Sequence, residues 1–327
     1  MHEAMFFENL GSKVKCFLCP HGCVIGTGRT GRCSVRTNRD GVLHAINFGE
    51  ITAIAMDPIE KKPLYHFKPS KAILSVGSFG CNLSCGFCQN YSIAHHKGRS
   101  EYVPPDRLID ICLEQEGNAG IAFTYNEPSI WYEYVYETSM RFKERCPELS
   151  IVLVTNGYIG LEPLKRLLPY IDAMNIDLKS FKQDYYKEIC GGDLSPVMKT
   201  IEESLSMCHV EVTTLMVTGL NDSPDEIGGI ASWLGSLDKN IPLHLSRYYP
   251  AYKMDYPPTD PEVMYRGREI AKGHLNYVYT GNLGGVDNST YCPNCGRLLI
   301  ERRGFSARVL VEKSLCPQCG SKIKIIF

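Results

Sequence analysis

Thiolates are the first chemistry this chain offers. Among its 15 cysteines, three stand as Cys81-x3-Cys85-x2-Cys88 inside Gly80-Cys81-Asn82-Leu83-Ser84-Cys85-Gly86-Phe87-Cys88-Gln89-Asn90. Three thiolates can hold three irons of a [4Fe–4S] cube and leave the fourth iron open, whereas an electron-transfer cluster takes four ligands. An open iron is a place where a chelating substrate can bind and react. A structural zinc loop borrowing a fourth ligand from elsewhere would use the same residue types. The loop follows an apolar strand-like run, the position where barrel enzymes carry their sites, and that favours the reactive reading.

Two further groups flank it. Cys292-Pro293-Asn294-Cys295-Gly296 and Cys316-Pro317-Gln318-Cys319-Gly320 form the doubled C-x2-C pattern of a zinc ribbon, which rubredoxin-type iron could also occupy, with Arg297–Glu301 and Ala307–Glu312 as its expected hairpin. Near the start, Cys16, Cys19, Cys23 and Cys33 fall within eighteen positions. Four sulfur ligands serve zinc or an auxiliary iron–sulfur cluster, and the Cys-Pro and glycine turns, which resemble zinc knuckles, favour zinc. The other four, Cys112, Cys146, Cys190 and Cys208, share no spacing and read as small buried apolar residues. Of these Cys190 is the one of interest, because Gly191-Gly192-Asp193 follows it near a strand end.

The rest of the composition is ordinary. The chain has 327 residues, 44% hydrophobic and 22% charged, with a formal net charge of −1. Disorder, collagen-like repeats and coiled coil are excluded for the chain as a whole. The balanced charge gives no global case for nucleic-acid or membrane binding, although basic residues around the last cysteines leave local nucleic-acid contact open. No apolar run reaches membrane-spanning length, and the N-terminus lacks a signal-peptide pattern, so a cytoplasmic protein is expected. An odd number of cysteines in such a chain argues against a disulfide framework.

The elements that must position these groups are strand–helix units. Residues 1–70 hold the first cysteine group and a β-like stretch through Ile46–Met56, residues 71–282 alternate apolar runs with helical patterns, and residues 283–327 hold the last group. Ala72–Gly77, Gly120–Tyr125, Ile151–Thr155, Ala173–Leu178, Val210–Val217 and Ile241–Ser246 suit parallel strands buried on both faces, with a seventh through Tyr277–Thr280. Pro at the first turn opens several of the intervening helices. The expected fold is α/β, a partial or complete (β/α) barrel with small N-terminal Cys-rich and C-terminal zinc-ribbon-like appendages. A doubly wound sheet would share the periodicity.

The cysteine motif, with an aromatic before its third cysteine, resembles that of radical S-adenosylmethionine (SAM) enzymes. The resemblance implies a cluster whose open iron is chelated by SAM, and reductive cleavage to a 5′-deoxyadenosyl radical that abstracts hydrogen. It also suggests SAM contacts at strand ends. Glu127 and Asn126 stand where the pyruvate formate-lyase activating enzymes carry a Gly-Gly-Glu-Pro segment, with Tyr125-Asn126 replacing the glycines. Glu127 could equally be a first-turn charge favouring its helix dipole. Thr155 and Asn156 resemble a ribose-side segment. Asp177 and Lys179 would reach the SAM carboxylate or ribose, or else simply pair with each other. His244 and Arg247 lie near the last strand end, with Tyr249 at the place of the family's histidine.

Taken with Cys16-x2-Cys19-Pro20-His21 and the terminal ribbon, the whole chain resembles the AmmeMemoRadiSam system radical SAM enzymes, relatives of the activating enzymes. The family implies company with Memo and AMMECR1 proteins and a reductant of flavodoxin or ferredoxin type, and it leaves the substrate open. Hydrogen abstraction from a peptide, an RNA or a small molecule is the first reading. Activation of a glycyl-radical enzyme is the second, and a non-catalytic metal-binding adaptor or electron carrier the third. The flanking cysteine domains favour the first, because a minimal activase needs neither.

Overall fold

The computed structural model describes residues 2–327. Its centre is one eight-stranded sheet: β1 (Ala53–Pro58), β2 (Ala72–Gly77), β3 (Asn118–Phe123), β4 (Ser150–Thr155), β5 (Ala173–Asp177), β6 (His209–Met216), β7 (Leu243–Arg247) and β8 (Val278–Gly281). Every strand pairs with its neighbours in chain order, β2 through β8 all parallel and β1 antiparallel to β2. A doubly wound sheet would reverse its strand order at a switch point. The unbroken order here is that of a barrel wound in one direction, and β1 and β8 are left as its edges.

Local sequence explains the units. All six residues of β3 are buried, as a strand covered on both faces must be. Helices α1 (Pro105–Leu113), α2 (Tyr132–Arg145), α3 (Leu161–Leu167), α4 (Leu194–Leu205), α5 (Pro224–Leu237) and α6 (Pro261–Lys272) fill the crossovers. Proline starts α1, α5 and α6, where its missing N–H would have no helical partner in any case. Ser223 caps α5 by accepting from Glu226 N. Leu108, Ile109 and Cys112 form the buried face of α1.

Ahead of the barrel lie two three-stranded antiparallel sheets. One joins His2–Glu3, Val42–Ala45 and Arg36–Arg39, the other Phe7–Asn9, Lys13–Cys16 and Val24–Gly26. Behind it, Thr290–Tyr291, Leu298–Arg303 and Ser306–Val309 make the hairpin sheet that carries the last cysteines. No described helix is long and apolar enough to cross a membrane.

The N-terminal end of the barrel is closed by a polar plug. Glu211, buried in β6, accepts from the backbone N–H groups of Tyr65 (3.0 Å) and His66 (2.7 Å) and from Nε2 of His209 (3.0 Å) and His244 (2.7 Å). His66 in turn donates from Nδ1 to the Lys324 carbonyl and accepts at Nε2 from the Tyr279 hydroxyl. Arg302 of the C-terminal hairpin reaches the Tyr65 carbonyl. The terminal segment is thereby tied to the barrel base.

Candidate active site

Gly77 ends β2, and four residues later Cys81 begins the loop over the C-terminal end of the sheet. Gly80 turns the chain with φ of +91°, and a Cβ there would stand 2.6 Å from Val35 Cγ1 and 2.7 Å from the Cys33 carbonyl. Glycine is therefore required twice, for the left-handed backbone and for the close approach of the N-terminal segment. The loop is held from several sides. Ser84 N donates to the Cys190 carbonyl, Asn82 Nδ2 to the Tyr158 carbonyl, and Asn126 Nδ2 to the Gly80 carbonyl.

Cys81, Cys85 and Cys88 line one cleft of about 280 Å³ at this end of the barrel. The same cleft is lined by Asp177 at the end of β5 and Lys179 two residues beyond it, Thr213 and Leu215 from β6, Ser246 from β7 and Asn282 beyond β8. Three thiols face a volume larger than they can fill. That is the donor set for three irons, with room beyond the fourth. Leu83 N (3.4 Å) and Asn156 Nδ2 (3.6 Å) donate to Cys81 Sγ, the pattern by which a protein stabilises a ligating sulfur.

The sulfur environments differ. A hydrogen bond from Cys190, together with the Lys179 charge, holds the Cys85 thiol below its ordinary value despite burial. Burial raises Cys81 well above its ordinary value and also raises Cys88. Burial would lower Lys179, yet Asp177 at 2.9 Å and the nearby thiols hold it well above its usual range, so it is a permanent cation at the cleft wall.

Several expected contact residues turn out to be scaffolding as well as lining. Glu127 is 2% exposed and its carboxylate is already occupied, accepting from Ser129 N (2.9 Å), Thr155 Oγ1 (2.6 Å) and Asn156 N (2.8 Å). Burial raises its pKa in spite of these bonds. It caps the turn Pro128–Trp131 ahead of α2 and joins the ends of β3 and β4. Asn126 accepts from Ser78 N and donates to the cysteine loop. Asn156 donates to Asn82 Oδ1 at 2.9 Å. All four of Asn126, Glu127, Thr155 and Asn156 line the cleft, and Asp177 and Lys179 line it as an ion pair.

His244 and Arg247 do not reach it. The strand begins at Leu243, so His244 is its second residue and lies at the closed base, on Glu211. Arg247 donates from Nε to the Thr259 carbonyl and lies over the Tyr249 ring at 4.9 Å. The residues from late strands that do line the cleft are Thr213, Ser246 and Asn282, which sequence reading passed over. Period-two alternation could have found Ser246, since it lies two positions beyond His244 on the same face. Cys190, buried beside Cys85, was singled out only by its glycines.

The other cysteine groups are also brought together. Cys292, Cys295, Cys316 and Cys319 lie with their sulfurs within 4.8 Å of one another, a four-thiol set that could hold a metal ion. Cys16, Cys19, Cys23 and Cys33 line a single cavity.

Comparison with known proteins agrees with this geometry. The pattern described as the Radical SAM superfamily matches residues 75–234. An uncharacterized protein of Methanocaldococcus jannaschii is 41% identical over 340 residues, covering 100% of both chains. GTP 3′,8-cyclase of Limosilactobacillus fermentum is 23% identical over 250 residues, covering 69% of this chain and 74% of its own. Among solved structures, Streptococcus suis SuiB bound to its precursor peptide SuiA superposes with a TM-score of 0.52 at 15% identity. That match covers 69% of this chain and 52% of SuiB, and it is a likeness of fold.

Proposed function

Residues 75–234 carry a radical SAM superfamily domain, which makes the chain an enzyme of that kind, and from that premise we propose that it cleaves SAM at an iron–sulfur cluster and abstracts hydrogen from a peptide, an RNA or a small molecule bound at the barrel mouth. The observation that carries this reading is the cleft itself, in which three thiols face unfilled space walled by polar residues of four later strands. When bound, the three-cysteine [4Fe–4S] cluster supplies the electron that cleaves SAM to methionine and the 5′-deoxyadenosyl radical.

The protein's own part is position and charge. Cys81, Cys85 and Cys88 would hold the cluster. The Lys179 ammonium, fixed by Asp177, would meet the SAM carboxylate, a charge-assisted contact inside a partly dry cleft. Thr155, Asn156, Thr213, Ser246 and Asn282 offer hydroxyl and amide groups to the ribose and amino acid moieties. Glu127 acts through Thr155 and Asn156, orienting them rather than touching SAM. The mouth carries exposed Tyr91 and Tyr249, and Tyr91 stacks on Tyr252 at 4.9 Å. Aromatic platforms of this kind suit a peptide side chain or an unstacked base better than a small polar metabolite.

Within the superfamily we place the chain in the AmmeMemoRadiSam group, on the strength of Cys16-x2-Cys19-Pro20-His21 and the terminal cysteine ribbon. Memo and AMMECR1 proteins and a flavodoxin- or ferredoxin-type donor are its proposed partners, and the cytoplasm its proposed location. Zinc is the proposed occupant of the ribbon, whose closed four-sulfur set suits a tetrahedral ion.

The test is 5′-deoxyadenosine formation by reduced, anaerobically reconstituted protein given SAM, against Cys85→Ala. Product in the wild type alone supports the reading. No product from a demonstrably reduced [4Fe–4S] protein, even with candidate substrates added, would sink it.

A further inference from the structure

The three cysteine sets of this chain differ in how far their sulfurs stand apart. In the C-terminal set Cys292 and Cys319 lie 3.6 Å apart, as do Cys295 and Cys316. A tetrahedral Zn–S₄ site with bonds of about 2.3 Å has sulfurs separated by about 3.8 Å, so this set is already shaped for one ion. Among the described residues it is the only set of three or more His, Cys, Asp or Glu ligand atoms drawn within 4.8 Å of one another. The central trio, whose pattern is that of a cluster, is not drawn so close. Neither are Cys16, Cys19, Cys23 and Cys33, although all four line the same cavity.

We propose that Cys16, Cys19, Cys23 and Cys33 ligate a second [4Fe–4S] cluster, closed by four thiolates, and not a zinc ion. A cube of four irons and four sulfides holds its thiolates outside itself and therefore well apart, whereas zinc draws them into contact. The cavity wall fits this occupant. Leu18, Ile25 and Ile130 make it apolar and Arg36 makes it cationic. Arg36 is 2% exposed and pairs through Nη1 with Glu133 at 3.0 Å, yet its Nε–H has no partner in the protein. A buried donor left unpaired costs about 1–3 kcal/mol, so such a group points to an acceptor that the cavity takes up. The sulfides of a cube are acceptors of that kind, additional to the cysteine sulfurs.

The site also adjoins the first one. His21, between Cys19 and Cys23, hydrogen-bonds through Nε2 to the Asn82 carbonyl at 2.7 Å, and Asn82 neighbours Cys81. The Cys33 carbonyl is the atom against which Gly80 packs. A cluster with four protein ligands has no open iron, so it holds or passes an electron and does not bind SAM.

The experiment measures iron, sulfide and zinc, with Mössbauer spectra, in protein isolated anaerobically from iron-replete cells with no metal added afterwards. It uses the wild type and the combined Cys81→Ala, Cys85→Ala, Cys88→Ala variant. Two clusters predict about eight irons per chain in the wild type and about four in the variant, the latter retaining a [4Fe–4S] spectrum. A wild type with about four irons and about two zinc ions would overturn the proposal, as would a triple variant with zinc and no iron. Should the triple variant not fold, Cys19→Ser with Cys23→Ser serves instead. Those changes should halve the iron and leave zinc unchanged, and a loss of zinc with iron unchanged refutes the cluster. None of these readouts depends on SAM cleavage, so the outcome stands apart from that of the activity assay.

Discussion

His244 Nε2 donates to Glu211 Oε2 at 2.7 Å in the closed base of the barrel, at the opposite end of the strands from Cys81. His244, a candidate SAM contact by its nearness to the last strand end, is instead part of a buried charge network joining barrel and C-terminal segment. Burial would raise the Glu211 carboxyl, but His209 and His244 hold it well below the usual carboxylate range. His66, pushed down to about 3 by burial, stays neutral between the Lys324 carbonyl and the Tyr279 hydroxyl.

Acid should therefore loosen the base of the barrel first. For His66 the unfolded chain binds a proton below about pH 6.5 and the folded one does not until about 3. Stability is lost across that window as pH falls, by about 1.4 kcal/mol per unit while only the unfolded chain is protonated. Glu211 has the same sign, since its stabilisation is present above the unfolded carboxylate pKa and is lost on acidification. Hydrogen exchange between pH 7 and 4 should show His66, Lys68 and Ile326 amides deprotecting ahead of β3 and β4. A melting temperature flat over that range would contradict the account. Glu211→Gln should cost about 3 kcal/mol or more at neutral pH by unbalancing buried partners.

Gly80→Ala should damage the metal loop without touching a ligand. Its Cβ meets Val35 and the Cys33 carbonyl, and its φ of +91° is strained for any L side chain. We expect a loss of about 2–4 kcal/mol in stability and a clear fall in cluster iron. Unfolding and iron content of the purified variant report both effects. Full iron with unchanged melting would mean the N-terminal segment can move aside.

Glu127→Ala separates scaffolding from ligand contact. Removing the carboxylate leaves Thr155 Oγ1, Asn156 N and Ser129 N without an acceptor, each worth about 1–3 kcal/mol and together less than their sum. Glu127→Gln should rescue only in part, because one acceptor oxygen becomes a donor facing donors. Calorimetric SAM binding and melting should fall together. Weakened binding with unchanged melting would instead make Glu127 a direct contact.

Metal removal should act on the ribbon alone. Its apolar core is small, built on Leu299, Ile300, Val311, Ile323 and Ile325 together with Cys292 and Cys316, so its order should depend on an ion joining the two knuckles. Chelation should release one ion per chain and expose four thiols to titration, with Cys295→Ser binding none. Spectra of the barrel-bound cluster should not change. A ribbon that keeps its exchange protection without metal would refute this dependence.

Much of the architecture is legible in the apolar runs of the sequence. Strand β2 falls on the expected residues and β3 to β8 within about two, because strands buried on both faces write themselves as apolar runs between turn signals. What periodicity could not decide was barrel against doubly wound sheet, nor that Ala53–Pro58 joins the sheet antiparallel at its edge. Strand order is a property of pairing between distant segments, and the runs themselves look alike in either arrangement.

Local spacing settles the thiol sets, since Cys81, Cys85 and Cys88, or Cys292 with Cys295, are ligands whose mutual reach is fixed by two or three intervening residues. Everything that crosses the sheet comes from the assembled fold. It placed Thr213, Ser246 and Asn282 on the cleft, turned His244 to Glu211, and set Cys33 against Gly80. These contacts join residues tens of positions apart, so their existence rests on strand order and on which end of each strand a side chain occupies.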